Sequence, residues 1–306
     1  MGPGRRLIAL SVFLGAAAVP LSAQQPSEPR QIFRTAVNLV TIQASVHDTR
    51  GRTLTGLSAA DFEVRDNGEP RTILSLRADR RSPVSVAILV DMSGSMGVSS
   101  KIAMARQVYD SVLSQLRDGE DEVGLFTFDS ALHTRQDFTD DLKRLTDGLE
   151  EFEPFGTTSL YDATEAAARR LGARAGALKA IIVITDGIDT SSTLTAPEVS
   201  GLASSIDVPV FIVATVPSVD RRALLEAAPA AEGADLRDLA EWTGGQLVFA
   251  STLLESGTVG AMLVNQLRLQ YVLAIESAGG GTWRRLDVRV RRPSAVVKAR
   301  SGYFGE

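Results

Sequence analysis

The 306-residue chain has no cysteine. That excludes disulfide staples, thiolate metal sites, a cysteine nucleophile and a lipid-modified cysteine anchor. Histidine is almost missing too. His47 and His133 are the only two, which argues against a zinc or iron site built from several imidazoles. Neither sign of charge dominates: Lys+Arg 32 against Asp+Glu 37 leaves −5, and so mild an acidity carries no whole-molecule signal for nucleic acid. No apolar run reaches the ~20 residues a helix needs to cross a bilayer. What is present, 44% hydrophobic and 23% charged residues, excludes disorder, collagen and a coiled-coil rod. The length suggests about two domains.

The first residues read as a targeting segment. Arg5 and Arg6 precede the apolar run Leu7–Val19, Pro20 breaks it, and Leu21-Ser22-Ala23 ends in a small residue before Gln24-Gln25. A charged start, a short apolar stretch and a small-residue cleavage point predict a signal peptide over 1–23. Its removal takes two arginines and no acids, leaving 30 − 37 = −7. The expectation is an exported, soluble protein, periplasmic or extracellular, with no membrane insertion of the mature chain. Residues 24–31, polar with two prolines, read as a linker.

Periodicity divides the remainder. Val40 to Val46 alternates apolar and polar residues, a strand pattern. Phe62–Arg65, then Asp66-Asn67-Gly68, then Thr72–Leu76 predicts a hairpin, because Asn-Gly supplies the positive φ of a tight turn. Residues 32–82 thus read as all-β and too short to bury a good core alone. From 83 to 266 the pattern changes. Val84–Val90 and Leu178–Thr185 are almost wholly apolar, as in strands buried on both faces. Val123–Phe128, Val208–Ala214 and Leu247–Phe249 read as further strands. Helices are predicted over Lys101–Leu116 (capped by Ser99 or Ser100), Thr139–Phe152, Ser159–Leu171, from Pro197, Asp235–Trp242 and 252–267. This alternation predicts an α/β domain with a doubly wound, largely parallel sheet. Residues 267–306 return to β, with strands at Tyr271–Glu276, Trp283–Val290 and Val296–Ala299. The two all-β ends are expected to pair into one small sandwich, with the α/β domain inserted between them. The tail from residue 268 carries 8 − 3 = +5 of charge, read as a solvated strand face rather than an anion site.

The chemistry gathers at strand ends. Asp91-Met92-Ser93-Gly94-Ser95 follows the first buried strand directly, and Ile184-Thr185-Asp186-Gly187 follows another. Gly156-Thr157-Thr158-Ser159-Leu160 is a hydroxyl-rich loop before a helix. Ligands of open α/β sheets bind outside the carboxyl ends of the strands. Every donor here is a hard oxygen, which suits Mg²⁺, Mn²⁺ or Ca²⁺. The mixture matters as well. A shell of carboxylates would neutralise the ion, whereas hydroxyls leave it able to attract an anion from another molecule. Asp129, Asp162 and Asp189 lie near these loops and read as turn or capping residues, Asp189 with a possible place on the rim. His47 ends a strand outside the α/β domain and is expected to be solvated; His133 is expected on a short strand beyond Phe128.

Asp91-x-Ser93-x-Ser95, Gly-Thr-Thr158 and Thr-Asp186-Gly, in this order, resemble the metal-ion-dependent adhesion site of von Willebrand factor type A domains. The resemblance covers residues 83–266. It implies that Ser93 and Ser95 bind the ion directly, that Thr158 is a third hydroxyl ligand when the site is open, and that Asp91 and Asp186 act mainly through waters. The family pattern reads Gly-Gly-Thr-x-Leu, and Thr157 takes the place of the second glycine. Thr158 is therefore preferred, with Thr157 the alternative. The flanks, Leu57-Ser-Ala-Ala-Asp-Phe-Glu-Val-Arg-Asp-Asn-Gly and Lys-Ala-Arg-Ser-Gly-Tyr-Phe, resemble a secreted acidobacterial-type group that carries one such domain.

Enzymatic signatures are sparse. Gly94-Ser95-Met96-Gly97 has Ser93 where a nucleophile elbow requires glycine. A serine hydrolase needs a histidine base, and the α/β domain has only His133. Neither a phosphate loop nor a dinucleotide fingerprint is present. The expectation is a non-enzyme that binds a protein partner through that partner's Asp or Glu carboxylate, with Mg²⁺ (or Mn²⁺ or Ca²⁺) as the bridge. The alternatives are a metal-assisted hydrolase using the same ion and a structural domain with no metal-dependent binding.

Overall fold

The computed structural model describes residue 2 and residues 39–305 other than 79, 98, 150–152, 175–177, 188 and 218–231. The expected signal peptide and linker lie outside the described residues. The chain's first described strand is β1 (Leu39–His47). β2 (Phe62–Asp66) and β3 (Glu69–Arg71) form the expected hairpin, with Asn67 at φ 50 and Gly68 at φ 88. The returning arm, however, is two strands. It breaks at Thr72, and β4 (Ile73–Arg77) joins a different sheet. Phe62 and Val64 on one arm and Ile73 and Leu76 on the other all enter one core, so the chain must cross from one layer to the facing one.

The α/β part follows from its two apolar runs. All of β5 (Val84–Asp91) is buried. β6 (Glu122–Phe128) and β7 (Leu132–Thr139) come next along the chain, then β8 (Leu178–Thr185), β9 (Val210–Thr215) and β10 (Gln246–Ala250). The sheet order is β10-β9-β8-β5-β6-β7, with every neighbouring pair parallel except β6 and β7. Alternation along β5 serves two cores. Val84, Val86, Ile88 and Val90 pack with α1 (Ser99–Leu113) and the last helix (Leu253–Arg268). Ala87 and Leu89 pack with α2 (Leu160–Gly172), α3 (Ala196–Ser205) and α4 (Glu232–Trp242). The last helix is α5. Burying each large aliphatic side chain contributes roughly 1.5–3 kcal/mol.

Two helix expectations need correction. Ser99 and Ser100 lie within α1, so neither is its cap. Among the described residues, the helix expected over Thr139–Phe152 does not form: β7 runs to Thr139 and the short 3-10 turn Leu142–Leu145 follows, with residues 150–152 outside the described residues. The apolar spacing was helical, but the Leu145 carbonyl accepts from the Tyr109 hydroxyl at 2.6 Å and from Gly148 N at 3.1 Å. That carbonyl is thereby held in a three-residue turn.

The tail supplies β11 (Tyr271–Glu276), β12 (Trp283–Val290), β13 (Val296–Ala299) and an unanticipated β14 (Gly302–Phe304). β14 needs Gly302, since a Cβ there would lie 2.4 Å from the Trp283 ring. The two chain ends interleave into antiparallel sheets, β13-β1-β11-β4 and β14-β12-β2-β3, around one core that includes Ile42, Phe62, Tyr271, Leu273 and Tyr303. β4, the last strand before the α/β part, pairs with β11, the first after it, Val272 opposite Arg77. The α/β part is thus an insertion whose ends are neighbours.

From Gln43 onward the second face of β1 is buried too. Gln43 N and Nε2 donate to Asp207 Oδ1 (3.2 Å) and Asp207 O (2.6 Å). Buried Arg300 donates to the Ser204 and Thr41 carbonyls and pairs with Asp207 at 3.4 Å. His47, at the far end of the same strand, is buried as well, which corrects the expectation that it is solvated. It is 8% exposed, and Nε2 lies 3.1 Å from Ser45 Oγ. Burial, with help from the Lys298 charge, lowers its pKa. His133 does lie on β7 and is exposed, bonded to Asp129.

Candidate metal centre

Three loops meet at the carboxyl end of the central sheet. The first begins at Asp91, the last residue of β5, where strand pairing fixes the backbone and burial is complete. Its Oδ1 accepts from Ser93 N at 2.8 Å and its Oδ2 from the Thr185 hydroxyl at 2.6 Å. The chain then turns tightly through Gly94–Gly97 into α1. This turn sets the Ser93 and Ser95 hydroxyls 3.1 Å apart. Ser93 is buried and Ser95 exposed, so the pair opens to solvent on one side.

The second loop is strapped to the first. Gly94 N donates to Gly156 O at 3.0 Å, and Phe155 N to Met92 O at 2.8 Å. Gly156 has φ 87, a left-handed backbone that favours glycine. Thr158 is held by its backbone: its N–H donates to Thr190 Oγ1 at 2.9 Å, and its carbonyl accepts from Thr190 N and Ser191 N. Its side chain is buried. The neighbouring Thr157 differs, because its hydroxyl accepts from Ser191 Oγ at 3.0 Å. Among the described residues, Thr158 therefore has the uncommitted hydroxyl of the two.

The third loop carries Asp186, which is 4% exposed. Lys101 Nζ donates to its Oδ2 at 2.9 Å and to the Ser95 carbonyl at 3.2 Å. Oδ1 of the same carboxylate is buried and has no hydrogen-bond partner among the described residues. A buried, unpartnered carboxylate oxygen is costly. Asp91 is strained electrostatically as well. Burial pushes its pKa up to about 6, against the bonds from Thr185 and Ser93, and the nearby Asp186 charge adds to the rise.

A divalent ion fits these residues. It would relieve both carboxylates and would meet only hard oxygens, as Mg²⁺, Mn²⁺ and Ca²⁺ require. Among the described residues, no group of three or more His, Asp or Glu could hold a metal. This centre has two carboxylates and depends on hydroxyls for the rest.

Asp129, Asp162 and Asp189 act within loops. Asp129 Oδ1 accepts from Ala131 N at 3.0 Å, Asp162 from Thr193 N and Leu194 N, and Asp189 Oδ2 from Leu160 N at 2.8 Å. Asp189 thus caps α2 from another loop instead of lining the rim. Sequence reasoning missed Lys101 and Thr185. Lys101 reads as one polar residue of a helix, and only its place on the first turn after the serine loop hinted at proximity. Thr185 reads as the end of an apolar strand.

Residues 86–188, which hold all three loops, match the family described as von Willebrand factor type A domain. The chain carries a von Willebrand factor type A domain. The zinc-occupied form of proximal thread matrix protein 1 from the mussel byssus shares the fold of this type A domain. The TM-score is 0.51 and the identity 12%, over 72% of this chain and 50% of that one. The conserved hypothetical protein BatB from Bacteroides thetaiotaomicron is 20% identical with a TM-score of 0.49, over 60% of this chain and 97% of that one. No curated protein matches the chain. In this type A domain, as in the rest of the described residues, no helix is long and apolar enough to cross a membrane.

Proposed function

We propose that the type A domain binds a protein partner through a divalent cation that accepts the partner's Asp or Glu carboxylate. The observation that carries this reading is the unpartnered, buried Oδ1 of Asp186 in the same centre as the Ser93–Ser95 hydroxyl pair. Ser93, Ser95 and Thr158 would hold the ion by hydroxyls, and Asp91 and Asp186 through waters. The bound ion supplies an electrophilic position that an outside carboxylate can fill. Mg²⁺ is the expected ion, with Mn²⁺ and Ca²⁺ as substitutes. The mussel protein's zinc-occupied MIDAS motif, in a domain of the same fold, is a precedent for an ion at this edge.

Two features favour binding over catalysis. The Ser95 hydroxyl has the Ser93 hydroxyl as its hydrogen-bond neighbour, and among the described residues no base is bonded to it. The rim carries Phe155, which is 83% exposed, on the loop strapped to the metal-binding turn; a solvent-facing ring there suits a protein surface. The partner is outside the cell if the signal peptide read in residues 1–23 operates.

Calorimetric titration of Mg²⁺ and Mn²⁺ into the metal-stripped protein tests the reading. Ser95→Ala is expected to weaken binding by tenfold or more while thermal unfolding without metal is unchanged. Equal affinity in parent and variant, or no binding by the parent, would remove the proposal.

A further inference from the structure

We infer that Lys101 sets the charge of the metal centre, weakening its hold on the bare ion so that the bound ion keeps an appetite for a carboxylate. This deepens the proposed function and rests on it. Lys101 Nζ takes Oδ2 of Asp186 and the Ser95 carbonyl, leaving Oδ1 open. The pair is well shielded: the Lys101 side chain is 17% exposed and that of Asp186 2%. It is therefore not one of the solvated surface pairs that contribute little.

Charge arithmetic gives the consequence. The centre has two carboxylates, Asp91 and Asp186, and one ammonium, Lys101. A divalent ion added to −2 + 1 leaves +1. Without the ammonium, the sum would be zero, and a neutral centre has little pull on a further anion. The ammonium competes for the same carboxylate as the ion and repels it at short range, so the ion binds less tightly. An arriving carboxylate then neutralises the remaining positive charge. Before any ion binds, Lys101 also compensates a carboxylate that would otherwise be buried alone.

Mn²⁺ titration of Lys101→Met, which keeps the apolar stem, is the test, with Lys101→Arg as the charge-retaining control. Lys101→Met is expected to bind Mn²⁺ roughly tenfold more tightly, within the usual range of coupling between sites. Acetate titrated into the Mn²⁺-loaded protein, followed by the fall in water-proton relaxation, is expected to bind several-fold more weakly in this variant. The ion-free variant should melt lower than the parent and gain more on adding Mn²⁺. Lys101→Arg should resemble the parent. Unchanged or weaker Mn²⁺ binding in Lys101→Met, or equal behaviour of the Met and Arg variants, would overturn the inference while leaving a metal site that Ser95→Ala weakens. Absence of Mn²⁺ binding in parent and variants alike would overturn the proposed function and the inference together.

Discussion

Asp91 takes one of its hydrogen bonds from a hydroxyl on another strand. Thr185 Oγ1 donates to Asp91 Oδ2 at 2.6 Å while accepting from Gly187 N at 3.0 Å, so it couples the first and third loops of the centre. Thr185→Val keeps the shape and removes both bonds. A buried carboxylate oxygen loses its donor, which costs about 1–3 kcal/mol. We expect urea denaturation to register that loss and Mn²⁺ affinity to drop about tenfold; full retention of both would show that the hydroxyl is incidental. At this scale the sequence was partly legible. Asp91, Ser93, Ser95, Thr158 and Asp186 stand out because their residue types suit one chemistry and their motifs follow strand ends. Lys101 and Thr185 did not, because each acts through a neighbour from another loop, and pairing across 85 or 94 residues leaves no local spacing to read.

At the scale of elements, the start of α2, which follows the loop bearing Thr158, is capped from outside the helix. Ser159 stands at the cap position, yet its hydroxyl faces Ser130 O and Ser191 Oγ. Asp189 does the capping, accepting from Leu160 N at 2.8 Å and Tyr161 N at 3.2 Å. Asp189→Ala should therefore cost about 1 kcal/mol, as a lost cap does, and weaken Mn²⁺ binding several-fold by loosening Thr158. Denaturant unfolding and Mn²⁺ titration check the two effects, and an unchanged metal affinity would separate the cap from the site. Strands buried on both faces were the most legible elements, since β5 and β8 have no polar side to confuse the period. The 139–152 region misled because Leu142, Leu145 and Leu149 have helical spacing while Tyr109, brought in by folding, fixes the Leu145 carbonyl. β14 escaped notice because three residues hold no period at all.

For the whole molecule, the insertion depends on a clamp that joins its two ends. Asp121, fully buried, accepts from Val84 N at 3.1 Å, where the chain enters the type A domain. It also accepts from Arg117 N at 2.7 Å and pairs with the Arg117 guanidinium and with Arg268, the last residue of α5. Burial alone would raise the Asp121 pKa, but the bonds from Arg117, Arg268 and Val84 outweigh it and hold the pKa below its ordinary value. A carboxyl whose pKa is lower folded than unfolded stabilises the fold at pH above its unfolded value of about 3.9. That stabilisation is lost as pH falls through the folded value. Asp121→Asn removes the charge and leaves two arginines without it, so at pH 7 we expect a loss of about 3 kcal/mol. The difference in melting temperature between parent and variant should be widest from pH 5 to 7, begin to shrink below about pH 4, where the unfolded carboxyl takes up its proton, and go on shrinking as pH falls toward the lower folded value. Melting curves from pH 3 to pH 7 decide it. A gap that stays constant down to pH 3 would mean that the hydrogen-bond geometry of Asp121, rather than its charge, closes the insertion.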